Sequence, residues 1–224
     1  MDERLSLAAA MYEPCAVGAD IGTDHGLLPC HLLRKGVCGR MILADVSPLA
    51  LEKARAQAAR QHLTDRATFV CADGLDALIE PAGCVSITGM GGETMVEILR
   101  AGQDRLCGAV LVMSAHTDLH LVRQAVMDIG YHFTRERLCR AGGRFYLVWR
   151  AEPGQAAYTE DELLLGTPLL TEGSDPLLAD YLAWRLRVTA RKLDGLRSAA
   201  QPDQALIARL THQIELLRRY AKPC

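Results

Sequence analysis

The chain has 224 residues, half of them hydrophobic and 23% charged, which suits one α/β domain with a small appendage and excludes a disordered or low-complexity chain. A formal net charge of −2 excludes a uniformly basic nucleic-acid binder. No apolar run approaches the roughly 20 residues of a membrane span, the N-terminus lacks a basic-then-apolar signal pattern, and the eight cysteines form no C-x-x-C, so the expectation is a cytoplasmic protein with reduced thiols, no membrane contact and no metal.

Ala16–Ile21 reads as a first strand and Gly26–Lys35 as a helix. Met41–Val46 is the second strand, and Pro48 opens a helix to about His62, because its fixed φ and missing N–H suit a first helical turn. Ala67–Ala72, Val85–Thr88 and Ala109–Met113 are the third to fifth strands, with helices over Glu93–Arg100 and Asp118–Ile129. Phe133–Leu138 and Arg144–Arg150 flank Ala141-Gly142-Gly143 as an antiparallel hairpin. Strand–helix alternation implies right-handed crossovers and a mostly parallel sheet covered on both faces.

Residues 152–175 read as a linker with a short structured segment, and Ser174-Asp175-Pro176 as a helix start. Leu177, Leu178, Tyr181, Leu182, Val188 and Leu193 recur at helical spacing. Gln201-Pro202-Asp203 interrupts the chain, and Leu206, Leu210, Ile214 and Leu217 form a second stripe. Two helices joined by a short turn make an antiparallel helical hairpin. The expected division is therefore residues 1–152 as the α/β domain and 153–224 as linker and hairpin. Residues 177–224 carry nine Lys/Arg against four acids, a net +5, while the rest carries 16 against 23, a net −7. A basic tail on an acidic body points to a polyanion, with Arg185, Arg187, Arg191, Lys192 and Arg197 as the expected contacts; a solvated helical face is the other reading.

The chemistry concentrates where strands end. After the first strand comes Asp20-Ile21-Gly22-Thr23-Asp24-His25-Gly26, in which Gly22 and Gly26 allow a tight turn and close backbone approach to a ligand. An acid at the strand end can hold an ammonium, and the following helix points free N–H groups at a carboxylate. The spacing does not match the G-x-G-x-x-G dinucleotide fingerprint. Asp45 ends the second strand, with Val46 beside it, and can accept two ribose hydroxyls. Asp73-Gly74-Leu75 follows the third strand, where an acid can accept from an adenine amino group while an apolar neighbour packs on the ring. Acids at the carboxyl ends of three successive strands outline one nucleoside site. Thr88-Gly89-Met90-Gly91-Gly92 follows the fourth strand and would let a flat base approach the backbone; an Asn-Pro-Pro-Tyr motif for gripping an exocyclic amine is absent. His116 and His120 are spaced i, i+4, which could place two imidazoles on one helix face, although no H-E-x-x-H accompanies them.

The Asp20–Gly26 loop, Gly89-Met90-Gly91-Gly92 and Gly143-Arg144-Phe145-Tyr146 together resemble the bacterial tRNA (adenine-N1)-methyltransferase family that acts on position 22 of tRNA. The resemblance spans nearly the whole chain. It implies a Rossmann-like class I methyltransferase sheet with one late antiparallel strand, S-adenosyl-L-methionine as methyl donor, an adenine N1 acceptor in tRNA, and a coiled-coil-like tail that helps hold RNA. Asp20, Gly22, Asp24, Asp45, Asp73 and Gly74 carry over by motif, with Thr23, His25, Gly26, Val46, Leu75, Gly89 and Met90 around them. Asp24 stands where methyltransferase loops of this type carry their middle glycine. After the fifth strand this chain has Ser114-Ala115-His116 where the family often shows Gln-Pro-Asn, so His116 is the expected substitute for the amide. Adenine N1 offers its own lone pair and needs alignment rather than a general base. Asp24 and the carbonyls around Gly89 are the candidates for favouring the cation that forms. A small-molecule methyltransferase, a non-catalytic RNA-binding protein on the same fold and a nicotinamide-dependent oxidoreductase remain alternatives, the last disfavoured by the glycine spacing; the oligomeric state stays open.

Overall fold

In the computed structural model residues 1–198 and 201–221 are described; Lys222 and Cys224, counted above, lie outside the described residues. The chain divides into two compact units, Met1–Ala157 and the part from Tyr158 onward.

In the first unit the strands are β1 (Cys15–Ile21), β2 (Cys38–Asp45), β3 (Ala67–Cys71), β4 (Cys84–Met90), β5 (Val110–Ala115), β6 (Tyr131–Ala141) and β7 (Arg144–Pro153), in the spatial order β3-β2-β1-β4-β5-β7-β6. The first five are parallel, and β7 pairs antiparallel with both β5 and β6, as expected for the late hairpin. β1 is buried continuously from Val17 to Ile21, the pattern of a parallel strand covered on both faces. The covering helices are α1 (Glu3–Ala10), α2 (Leu27–Lys35), α3 (Pro48–Arg60), α4 (Gly92–Gly102) and α5 (Leu119–Asp128). The chain builds β1, β2 and β3 outward in one direction, then crosses to β4 on the other side of β1. Loops leaving β1 and β4 therefore diverge and open a crevice at the carboxyl edge.

Helix α1 was not legible as an element of the domain, being a single eight-residue stretch before the first strand. Asp2 caps it by accepting the Leu5 N–H at 2.8 Å. Ala8, Met11 and Tyr12 then enter the core with Leu28, Leu32 and Leu33 of α2. At the far edge α5 is locked to the hairpin by charge. Arg123 and Glu136 are both fully buried, Arg123 Nε donates to Glu136 Oε1 at 3.0 Å, and Trp149 Nε1 donates to the same oxygen at 2.8 Å.

The second unit holds α6 (Glu160–Leu165), α7 (Pro168–Thr171), α8 (Leu178–Arg197) and α9 (Gln204–Tyr220). A capping box starts α6, with the Thr159 side chain accepting from Glu162 N and the Glu162 side chain accepting from Thr159 N. Leu193 of α8 packs with Leu210 and Ile214 of α9, joined by Leu186, Ala190 and Leu206. Val188, expected in the buried stripe, is instead 45% exposed, because the buried face follows positions 186, 190 and 193. His212 of α9 meets Asp161 of α6 at 2.8 Å. Among the described residues no helix is long and apolar enough to cross a membrane, and no cluster of three or more metal-ligating side chains occurs.

Candidate active site

The crevice contains a cleft of about 290 Å³ lined by Gly22, Asp45, Asp73, Gly74, Gly89 and Met90 among others. A smaller recess of about 80 Å³ is lined by Leu5, Asp20, Thr23, Asp24 and His25, and Gly22 and Thr88 border both. The structure thus brings together the ends of β1, β2, β3 and β4.

Asp20 ends β1 and is only 4% exposed. A relay positions it: the Tyr12 hydroxyl donates to Ser86 Oγ at 2.7 Å, and Ser86 Oγ donates to Asp20 Oδ1 at 2.5 Å. Burial raises the Asp20 carboxyl to about 6, against the opposing pull of the Ser86 and Thr23 hydroxyls and of the Arg4 guanidinium. An acid so placed gains from a cationic ligand group. Beside it, the buried Thr23 hydroxyl interacts with the Asp20 carboxyl and has no other partner.

The loop after β1 is pinned to β2, since the N–H groups of Gly22 and Thr23 both reach Ala44 O at 2.9 Å. Gly22 has φ +71, the left-handed region that favours glycine, and a Cβ there would lie 2.1 Å from the Met90 methyl and displace it. Asp24 occupies the middle-glycine place with φ +42, a left-handed conformation that a short polar side chain tolerates. Its carboxylate is exposed, 3.4 Å from Lys53 Nζ and 3.5 Å from His25 Nε2. Gly26 is left-handed as well and precedes the first turn of α2.

Asp45 is half-buried and accepts the Ser47 N–H at 2.9 Å and the Asp24 N–H at 3.2 Å, one on each oxygen. It therefore braces the loop, while Ser47 caps α3. Val46 stands 64% exposed at the mouth of the cleft. Asp73 is exposed at the rim, Gly74 lies buried behind it, and Leu75 lines an adjoining hollow of about 170 Å³.

Across the crevice three side chains from distant parts of the chain meet at Gly89, two of which sequence reasoning missed in this role. A Cβ on Gly89 (φ +84) would lie 3.2 Å from Arg4 Nη1 and 3.9 Å from His116 Nε2. Arg4 Nη1 is buried without a hydrogen-bond partner, and the guanidinium sits 5.6 Å from the centre of the Tyr146 ring. His116 and Tyr146 are edge-to-face at 5.7 Å. Tyr146 was part of the quoted Gly143–Tyr146 motif, but nothing in the sequence tied it to Gly89 or to Arg4. His116 is exposed in the turn before α5, its N–H bonded to Met90 O at 2.9 Å. It and His120 therefore do not share a helix face, a correction to the i, i+4 expectation.

Of the tail cations, Arg187, Arg191, Lys192 and Arg197 are exposed. Arg185 is half-buried and donates to the carbonyls of Leu164 and Leu165 at 3.1 Å each, closing the carboxyl end of α6.

The chain is 26% identical to the tRNA (adenine(22)-N(1))-methyltransferase of Bacillus subtilis, over 97% of its own length and 95% of that protein's. The crystal structure of the B. subtilis m1A22 tRNA methyltransferase superimposes with a TM-score of 0.87 at 24% identity, covering 99% of both chains. An M. capricolum relative in complex with the cofactor product S-adenosyl-homocysteine gives a TM-score of 0.83 at 19% identity, covering 99% of this chain and 97% of that one. Residues 1–149 match the family described as a methyltransferase domain, which covers the first six strands, the first half of β7, the crevice and the acids at its edge; the chain belongs to that methyltransferase family.

Proposed function

We propose that the protein is an S-adenosylmethionine-dependent methyltransferase that modifies N1 of an adenine in tRNA, at position 22. The observation that carries the donor half is that Asp45 and Asp73 line the cleft while Asp20 and the buried Thr23 hydroxyl line the recess that adjoins it at Gly22 and Thr88. These residues fit the donor group by group. Asp20 suits its ammonium, Thr23 and the N–H groups at the start of α2 its carboxylate, Asp45 its ribose hydroxyls and Asp73 its adenine amine. When bound, the donor supplies an electrophilic methyl group on a sulfonium.

The chain's own residues have to hold the acceptor in line and tolerate the cation that forms on it. Gly89 offers bare backbone, and Arg4, His116 and Tyr146 wall the crevice around it. Asp24 and the carbonyls near Gly89 are the groups that favour positive charge there. N1 lies on the pairing edge of adenine, so the base has to be exposed before it enters. The acceptor assignment is supported by the full-length likeness to the B. subtilis enzyme and by the exposed cations Arg187, Arg191, Lys192 and Arg197 of α8.

The test is incubation with labelled S-adenosylmethionine and unmodified tRNA, followed by digestion and mass spectrometry of the nucleosides. The expected product is 1-methyladenosine at position 22. N6-methyladenosine or a methylated guanosine alone would overturn the acceptor assignment, and transfer to small molecules only would overturn the RNA substrate.

A further inference from the structure

We propose that Cys15 and Cys38 are an oxidisable dithiol, a covalent modification site at which a hydroperoxide joins the two thiols in a disulfide between β1 and β2. The site lies outside the crevice and does not rest on the methyl-transfer reading.

The sequence gives no hint of it, because 22 residues separate the two cysteines and no C-x-x-C is present. The sheet brings them together. Cys15 opens β1, Cys38 opens β2, and the two are direct register partners in the parallel pair, so their side chains stand side by side on one face. Their sulfurs are 3.4 Å apart and share an S–H···S hydrogen bond. Neighbouring strands run about 4.8 Å apart, within the Cα separation of about 4.4–6.8 Å that a disulfide accepts. Closing the sulfurs to bonding distance therefore needs side-chain rotation, not backbone displacement. Two glycines leave room for that rotation. A Cβ on Gly18 would lie 2.9 Å from Cys38 Sγ, and one on Gly83 would lie 2.9 Å from Cys15 Cβ.

The two thiols are also unequal, as a reactive pair requires. Cys15 is partly open to solvent, and Cys38 is buried. The Cys38 hydrogen bond pulls the Cys15 thiol down to about 7 against an opposing effect of burial, whereas the same contact and burial push Cys38 up. Cys15 is thus the attacking thiolate and Cys38 the resolving thiol. Cys84, buried on the neighbouring strand, is pushed up chiefly by burial and stays a thiol.

With hydrogen peroxide the steps balance. The Cys15 thiolate attacks one peroxide oxygen, the O–O bond breaks, and hydroxide leaves, giving a sulfenic acid. Cys38 then attacks the Cys15 sulfur, its proton and the departing hydroxide forming water. Two thiols and one peroxide yield one disulfide and two waters. The bond sits at the amino ends of the strands, about 20 Å along β1 from the Gly22 loop by strand rise. It closes the segment 15–38, which contains that loop, so oxidation stiffens the cofactor side without occupying it.

The experiment treats the reduced full-length protein with one equivalent of hydrogen peroxide, blocks free thiols with N-ethylmaleimide, and maps the digest by mass spectrometry. The expected result is an intact mass lower by about 2 Da before alkylation, two fewer maleimide adducts after it, and a peptide linking Cys15 to Cys38. The melting temperature should rise by several degrees relative to the reduced protein. In Cys38→Ser the sulfenic acid should persist on Cys15 and be trapped by dimedone, and in Cys15→Ser no linkage should form. Recovery of both cysteines as alkylated thiols while the exposed Cys71 and Cys107 oxidise would overturn the proposal, as would a Cys15–Cys84 linkage or oxidation of Cys15 beyond the sulfenic stage in the wild type.

Discussion

On the β1–β3 side of the crevice each polar group sits at the end of its own strand: Asp20 in the last two residues of β1, Asp45 the last residue of β2, Asp73 two residues beyond β3. On the β4–β7 side the polar groups arrive from afar. Arg4 comes from the amino-terminal helix, His116 from the turn after β5 and Tyr146 from β7, and they meet only because β4, β5 and β7 are neighbours in the sheet. The first side is local in sequence and is braced by backbone hydrogen bonds. The second is assembled by tertiary packing and depends on the hairpin being correctly seated. The two sides should therefore fail differently when perturbed.

The largest separation is expected at Glu136, which lies outside the crevice but seats the hairpin. Glu136→Gln removes the negative charge that the buried Arg123 faces across the Arg123–Glu136 pair, and breaking such a pair costs about 3–5 kcal/mol. Urea unfolding should show that loss. In the surviving folded fraction the donor affinity should be unchanged while turnover on tRNA falls. A variant as stable as the wild type would show that the hairpin is held by packing alone.

Next in size is the tail. Replacing Arg187, Arg191, Lys192 and Arg197 together by alanine removes four exposed cations. The affinity for tRNA should drop on the order of a hundredfold at physiological salt, and the slope of log K against log salt should shrink by about 3. Donor binding should not move. Unchanged tRNA affinity across a salt series would make these cations an ordinary solvated surface.

On the cofactor side, Asp45→Ala should weaken S-adenosylmethionine binding by about 1.5–3 kcal/mol, as expected for losing hydrogen bonds to a charged group. Part of that loss acts through the loop, because Asp45 also holds the Asp24 and Ser47 N–H groups. Calorimetry measures it, and an unaltered affinity in a folded variant would remove Asp45 from the site. On the acceptor side, Tyr146→Ala should leave donor affinity intact and lower kcat/KM for tRNA. A lost base-stacking wall is worth about 1–3 kcal/mol. Equal effects on both substrates would erase the distinction between the sides.

This division also explains what could be read from the sequence. The β1–β5 alternation, the closing hairpin and the three acids were legible because strand period, glycine turns and strand-end acids are local patterns. Helix α1 was not, since eight residues without a preceding strand carry too little periodicity to mark their partner. Arg4 was invisible as a site residue for the same reason: its partner Gly89 lies 85 positions away, and only the placement of α1 brings them together. Arg185 shows the converse. Its charge placed it in the expected RNA face, but the short α6 needs its carbonyls closed, and Arg185 is the side chain within reach.

The smallest effect is a pH dependence, and it is set chiefly on the cofactor side, by the burial of Asp20. Burial holds the Asp20 carboxyl at about 6 in the folded protein, above the ordinary 3.8. Between these values the folded state keeps a proton that the unfolded chain has released. The free protein should therefore lose stability as pH rises from about 4 to about 6. The ammonium of the donor pairs with the ionised carboxylate, so donor affinity should run the opposite way, falling up to about tenfold per pH unit below 6. Isothermal titration across pH 5–8 measures this, and Asp20→Asn should flatten the profile. The Tyr146→Ala variant should retain it, because burial and the Tyr12–Ser86 relay that hold Asp20 do not require the Tyr146 ring. A wild-type profile flat from pH 5 to 8 would mean that Asp20 does not meet the donor's cation, and the match of acids to donor groups on the β1–β3 side would have to be redrawn.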